Sequence, residues 1–365
     1  MGRSGAGRWG EDAGPGRPNV TNISAGGPPD AKHPQNEIMR AAYIEQFGPP
    51  EVIRYGELDA PRLGPHDVLV DVIASTVNHV DTFVRSGAWH TPLQFPFVIG
   101  RDLVGTVAAA GYGAVGFAVG DRVWCNSLGH AGRQGAAAEQ AVVPVERLYH
   151  LPRCVEPEDV VAVAHPAATA YLALFTHSRV RPGDTVVVEG GAGNVGSVLV
   201  LMAAEAGARV ITSASARDAE LCRGLGAAEV IDYRDRDAAE QLRDHCPRGA
   251  DLYLDTAGRN DLTQAVDLLA KRGRIVLLAG MRTRPVLPVG PLYLKDGSIA
   301  GFAISQATPA ELAEAASAVN RLLAAGRLRP RMIERLPLAA AAEAHRRVEE
   351  GGSAGKKIVL RTDLG

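Results

Sequence analysis

Gly191, Gly193 and Gly196, in the stretch VEGGAGNVG, stand at the spacing G-x-G-x-x-G. Glycines so placed let a chain turn sharply and bring its backbone up to a pyrophosphate. About twenty residues beyond such a turn, an acidic side chain ordinarily binds the 2′-hydroxyl of an adenosine ribose. The residues here read VITSASARD: Thr212, Ser213, Ala214 and Ser215 supply no carboxylate, and Arg217 supplies a cation. Small hydroxyl side chains leave room for a 2′-phosphate, which a guanidinium can pair with bidentately. The pattern selects NADPH over NADH. Asp218, next in sequence, offsets part of the Arg217 charge, and a solvated Arg217 at a helix start is the plainer alternative.

A pyrophosphate site of this kind needs a strand before the turn and a helix after it, because the helix N-terminus attracts the anion. Thr185 to Val188 is a β-branched run that reads as a buried strand, and Ser197 to Glu205 has helical apolar spacing. Further apolar strands (RVITS, EVIDY, DLYLDT, RIVLLAG) alternate with alanine-rich helices, the βαβ order of a parallel sheet. Before residue 160 the rhythm differs. RAAYIEQFG, DVLVDVIAS, DLVGTVAAAG and VGDRVW are short strands between Gly/Pro turns, as in a β-barrel. After about residue 303 a helix from Pro309 to Ala325 leads to a last strand, KKIVLRT.

The 365 residues suffice for about two domains with real cores. A net charge of −2 and scattered basic residues argue against a nucleic-acid binder. No apolar run reaches the ~18 residues of a membrane span. Cys125, Cys154, Cys222 and Cys246 have no metal-ligand spacing and read as reduced thiols of a cytoplasmic protein. Residues 1–37, rich in Gly, Pro and charge, read as a disordered tail without the apolar core of a secretory signal.

The chain resembles the medium-chain dehydrogenase/reductases, in the quinone oxidoreductase (zeta-crystallin-like) branch. NHVDTFVRSG, FPFVIGRDLVGTV, VGDRV, AAEQAVVP, ATAYLAL, GAGNVGS, LGAAEVIDYR, LDTAG, GRIVLLAG, KDGSIAGF and GKKIVL match it in order over residues 38–361. The resemblance implies an α/β protein in which a Rossmann cofactor domain is inserted in a GroES-like β-barrel catalytic domain. The expected boundaries are 38–164 and 303–365 for the catalytic domain and 165–302 for the cofactor domain, with the active site between them. It also implies that Gly193, Asn194 and Val195 offer backbone groups to the pyrophosphate. Tyr233 joins the 2′-phosphate site, and Thr169, Thr256, Ala279 and Gly280 lie near the nicotinamide. Each of the last four could equally be an ordinary strand-end or turn residue.

Zinc-dependent relatives place ligands where this chain has Asn78, Gly100-Arg101-Asp102 and His165. Arg offers no lone pair and Asn is a poor zinc ligand, so no zinc is expected. Without a Lewis acid, hydride transfer needs an acceptor that is already electrophilic, a quinone or an α,β-unsaturated carbonyl. Asn78 is the expected catalytic anchor, its amide donating to the acceptor's oxygen; a turn-capping Asn is the alternative. Phe83 stands where the family often has a tyrosine, which removes one proton donor. His79, Arg101, Trp89 and His90 are further candidates for the cleft. An enoyl-thioester reductase, a non-catalytic NADPH-binding protein and, last, a zinc-type alcohol dehydrogenase remain open. The family also implies a homodimer through an edge strand, placed at GFAISQ (residues 301–306) with Phe302 and Ile304 available for pairing or packing.

Overall fold

Strands with one buried and one open face build the first part of the chain. The computed structural model describes residues 38–352 and 355–364; the expected tail, residues 1–37, lies outside them. β1 (Ile38–Ile44), β2 (Arg54–Asp59) and β4 (Phe97–Val98) form a small antiparallel sheet in the order β2-β1-β4. A second sheet uses β3 (Asp67–Thr76), β5 (Leu103–Ala110), β6 (Arg122–Cys125), β7 (Gln140–Pro144) and β8 (Tyr149–His150). Between β3 and β4 lies α1 (His79–Ser86), which ends at Gly87 in the left-handed region with φ of 76°.

The parallel sheet expected from the βαβ order is present. It contains β9 (Thr185–Glu189), β10 (Arg209–Ala214), β11 (Glu229–Asp232), β12 (Ala250–Asp255), β13 (Leu269–Leu277) and β14 (Ser298–Gly301). Their order is β11-β10-β9-β12-β13-β14, all parallel. The strand order reverses beside β9, and ligands of such sheets bind at that switch point. The helices of this part are α2 (Pro157–Tyr171), α3 (Asn194–Glu205), α4 (Ala219–Gly224), α5 (Ala238–His245), α6 (Leu262–Leu268) and α7 (Val289–Leu294). The chain then passes through α8 (Pro309–Ala324), β15 (Ile333–Pro337) and α9 (Ala341–Glu349) to β16 (Lys357–Arg361). β16 pairs antiparallel with β3 and parallel with β15, so the late strands complete the early sheet.

The two parts share a core. Ala74, Val104 and Trp124 of the second sheet pack in one buried cluster with Val160 and Ala164 of α2 and Val186 and Val188 of β9. The boundary expected after residue 164 falls inside α2. Pro157–His177, α2 with a following π-helical turn, is long and apolar enough to cross a membrane, which corrects the expectation of no such run. Most of it is buried inside the fold, as a core helix is. The four cysteines are unpaired, with only Cys154 exposed.

The edge of the parallel sheet also differs from expectation. The edge strand is Ser298–Gly301, three residues earlier than GFAISQ suggested. Ile304 is buried in a short 3-10 turn and Phe302 stacks on His177, with ring centroids 4.4 Å apart. Of the two uses expected of them, pairing or packing, both side chains take packing. The exposed apolar groups beside that edge are Val286, Val289, Tyr293 and Leu294.

Candidate active site

The three motif glycines differ in how much room a side chain would find. A Cβ on Gly191 would lie 2.0 Å from Thr212 Oγ1, and one on Gly196 would lie 2.1 Å from the Gly190 carbonyl oxygen. These two permit the tight packing of the turn on β10 and of α3 on β9. Gly193, the residue just before α3, is different: its Cβ would have only the Gly190 oxygen near it, at 3.3 Å. Protein packing therefore does not require glycine there. The space it leaves open lies at a helix N-terminus, and this fits a pyrophosphate held by backbone N–H groups.

A cleft of about 620 Å³ opens beside this turn. Asn194, Val195, Thr256, Ala279 and Gly280 line it from the parallel sheet, and Thr169 lines it from α2. Asn78 and His165 form part of the same wall, as do His79, Phe83 and Trp89. Thr256 Oγ1 donates to the Glu189 carbonyl at 2.7 Å, and Thr169 Oγ1 to the His165 carbonyl at 2.8 Å, so each hydroxyl fixes backbone at the cleft. Two candidates fall elsewhere. His90 is exposed, and Arg101 is 1% exposed, buried near Asp81 and Asp102.

At the other end, Ser213 does not do what its size suggested. Its hydroxyl donates to the Glu189 carboxylate and accepts the Gly190 N–H at 3.2 Å. Glu189 also accepts from Arg259 at 2.9 Å and from Tyr253 and Gln264, each at 3.2 Å. Ser213 is thus a fully engaged part of a buried network, with no hydroxyl free for a 2′-phosphate. Ser215 donates to Asp218 at 2.7 Å, and Arg331 from the segment before β15 pairs with the same carboxylate. Arg217 and Tyr233 remain open to solvent. The Arg217 side chain is 74% exposed, with its Nε 3.5 Å from Asp218. Tyr233 is half exposed, and the Arg234 guanidinium stands 5.3 Å from its ring. Arg234 is a second cation here that the sequence reading passed over, although it adjoins Tyr233.

The floor of the cleft holds a buried polar chain. Asn78 begins α1, and its backbone N–H is capped by the Asp81 carboxylate at 2.7 Å. The amide Nδ2 donates to Asp102 at 2.9 Å, while Oδ1 accepts from Lys357 Nζ at 2.5 Å. His165 Nδ1 lies 3.8 Å from Asp102 Oδ1. Burial pushes the Asp102 carboxyl up to about 7 against the opposing pull of Lys357, and pushes Asp81 up as well. Burial, with Arg101 and Lys357 adding repulsion, holds His165 far below the usual histidine range, so it is neutral. Lys357 was missed by the sequence reading; GKKIVL reads as a strand with a solvated basic flank.

Arg101 has no lone pair to give, and Asn78 already spends its oxygen on an ammonium. Among the described residues, no group of three or more His, Cys, Asp or Glu side chains converges as metal ligands would. The donor set does not fit a catalytic zinc, which takes three protein ligands.

Fold and site together match known proteins. Residues 64–153 match the alcohol dehydrogenase GroES-like domain, and residues 194–321 match the zinc-binding dehydrogenase domain. Mouse quinone oxidoreductase is 30% identical over 332 residues, covering 89% of this chain and 98% of its own. A 2-haloacrylate reductase from Burkholderia sp is 32% identical over 243 residues, covering 65% of this chain and 72% of its own. A mycobacterial protein solved in complex with NADPH superimposes with a TM-score of 0.76 at 30% identity, covering 88% of this chain and 99% of its own. The chain belongs to the medium-chain dehydrogenase/reductase superfamily and, within it, to the quinone oxidoreductase branch. It is accordingly an oxidoreductase with a GroES-like domain and a Rossmann-type sheet.

Proposed function

We propose that the protein is a zinc-independent reductase that uses NADPH to reduce a quinone or an α,β-unsaturated carbonyl. The observation that carries this reading is the single cleft in which an open glycine turn and a buried hydrogen-bond donor face each other. When bound there, the nicotinamide supplies a hydride. The protein's share is orientation and exclusion of water around the reacting carbons.

In this reading the turn of Gly191, Gly193 and Gly196, with Asn194 and Val195, holds the pyrophosphate. Thr169, Thr256, Ala279 and Gly280 border the nicotinamide. Arg217 and Tyr233 receive the 2′-phosphate, and Ser213 acts only by packing. Residues 165–302 are the cofactor domain, and residues 38–164 with 303–365 form the substrate-facing domain. Asn78 has one amide N–H beyond the bond to Asp102, and that N–H donates to the acceptor's carbonyl oxygen, where negative charge develops. The similarity to quinone oxidoreductases and to a 2-haloacrylate reductase supports an activated C=C or quinone acceptor. A homodimer through the β14 edge agrees with the exposed Val286, Val289, Tyr293 and Leu294 beside it. Light scattering at micromolar concentration tests it, and a monomeric mass removes it.

The direct test is NADPH absorbance on addition of 1,4-benzoquinone, then 2-cyclohexenone, then a crotonyl thioester. Oxidation with either of the first two supports the proposal. Oxidation with the thioester alone points to an enoyl-thioester reductase, and none with any acceptor points to a binding protein.

A further inference from the structure

Lys357 is a charged side chain 5% exposed, yet it lines the cleft. Among the described residues lining that cleft the other lysine, Lys356, is 43% exposed and lies 3.8 Å from Glu334 at the surface. His79 and His165 are both held below the ordinary histidine range by burial, with Lys357 adding to the shift in each. The floor of the cleft therefore has one cation built into it. An ammonium has three N–H donors and no acceptor. One is spent on Asn78 Oδ1 at 2.5 Å, and among the described residues no other partner receives the remaining two. A buried charge with unspent donors costs free energy unless something compensates it. Burial holds the Lys357 ammonium below the usual lysine range, and Asp102 and Asp81 oppose that shift by favouring the charged form.

Lys357 lines the same cleft as Asn78 with its Nζ 2.5 Å from the Asn78 oxygen, so in the reading above an acceptor oxygen held by Asn78 would lie near this ammonium. Adding a hydride to the β-carbon of an enone moves the π-electron pair toward that oxygen and leaves an enolate. The enolate needs a counter-charge and then a proton. Asn78 can donate a hydrogen bond but holds no transferable proton, and Phe83 can supply neither. We propose that Lys357 is a catalytic residue of this reductase: its ammonium binds the carbonyl oxygen of an α,β-unsaturated acceptor and gives it a proton. The inference rests on the reading of the cleft as a reductase site. The balance is simple. One Nζ–H bond breaks, one O–H bond forms, the amine is left neutral, and the resulting enol tautomerises to the saturated carbonyl. Solvent returns the proton to Nζ, so one NADPH and one proton are consumed per acceptor. Asn78 and Asp102 act on Lys357 as positioning residues, the first by accepting its N–H and the second by orienting the amide.

Two variants and two readouts test this. Lys357→Met removes the charge, and Lys357→Arg keeps a charge that does not release a proton at neutral pH. The first readout is 4-nitrophenol binding to the NADP⁺ complex, followed by the visible band of the phenolate; it mimics the enolate and needs no turnover. The second is steady-state reduction of 2-cyclohexenone, with circular dichroism and NADPH titration as folding controls. The wild type is expected to bind the phenolate form and to lower the phenol's apparent pKa. Lys357→Met should weaken phenolate binding at least tenfold. Lys357→Arg should keep phenolate binding and lose about a hundredfold in kcat with KM nearly unchanged. A wild type that reduces cyclohexenone, with both variants binding phenolate and turning over as it does, overturns the role of Lys357. A wild type that reduces no acceptor but binds phenolate through Lys357 keeps the anion site and removes the reductase reading instead.

Discussion

The two ends of the cleft are built on opposite plans. At the glycine-turn end, six consecutive residues, Gly191 to Gly196, make the turn, and the groups proposed to face a pyrophosphate are backbone. At the substrate end, the groups are buried side chains brought from 78, 102, 165 and 357: Asn78 bonds to Asp102 and to Lys357, and His165 stands 3.8 Å from Asp102. A backbone site needs only room, so a glycine suffices. A side-chain site in a low-dielectric floor needs every polar atom answered, because an unpaired buried charge costs far more than an unpaired one in water. The first plan is robust to its surroundings and the second is not.

The sharpest way to break this contrast is at Gly193. Gly193→Val should weaken NADPH binding by about a hundredfold, roughly 3 kcal/mol, while the thermal midpoint stays close to the wild type, because its Cβ meets little protein. Gly196→Val is the control: its Cβ would strike the Gly190 oxygen at 2.1 Å, so stability should fall with affinity. A stability loss at Gly193 as large as at Gly196 would mean that the turn is set by packing rather than by a ligand.

Next in size, Asn78→Ala should spare NADPH affinity and cut turnover of 2-cyclohexenone by about 10²-fold. The loss with 1,4-benzoquinone should be smaller, since a quinone needs less help. The same change leaves Lys357 and Asp102 without their shared partner, a stability cost of about 1–3 kcal/mol that denaturant titration would read. Equal small losses with both acceptors would return Asn78 to a purely structural place.

Smaller again is the cost at the open adenosine end. Arg217→Ala should raise the Kd for NADPH about tenfold, as loss of one charge-assisted pair does, and leave that for NADH unchanged. Ser213→Asp is not the switch that size alone suggests. It would set a second carboxylate against Glu189, so its effect should be lower stability with either cofactor. An unchanged NADPH-to-NADH ratio in Arg217→Ala would remove Arg217 from the site.

The smallest effect separates the two plans by pH. His345 of α9 is fully buried with neither ring nitrogen bonded, and burial lowers it to about 3. The unfolded chain takes up that proton near pH 6.5 and the folded chain only near 3, so the unfolded state binds more protons in between. Stability from this group is complete above about pH 6.5 and declines as pH falls, by up to about 1.4 kcal/mol per pH unit. His345→Leu should flatten the fall in thermal midpoint between pH 7 and 5 by a few degrees. An unchanged slope would show that His345 is not responsible.

What the sequence made legible follows the same division. The parallel strands announce themselves because a strand buried on both faces must be continuously apolar, as TVVVE and DLYLDT are. The glycine turn is legible because its residues are neighbours in the chain. β2 and β15 carry no clear alternation, since most of their residues are only partly covered. The edge strand was misplaced because Phe302 and Ile304 have the composition of a strand, while their packing under α2 is decided by tertiary contacts. Ser213 misled for a similar reason. Its bonding depends on Glu189, which sits on a neighbouring strand and cannot be paired with it by spacing. Lys357 was the least legible of all: only the pairing of Val359 with Thr76 reveals that the lysine enters the cleft.

That strand pairing has a consequence for how the protein is made. Asn78 and Lys357 are 279 residues apart in the chain. During synthesis the parallel sheet and its glycine turn emerge while β3 still lacks β16 beside it. Because domains generally fold as units during synthesis, the parallel sheet can form, with Asn78 already made, before β16 leaves the ribosome and brings Lys357 to its place beside that residue.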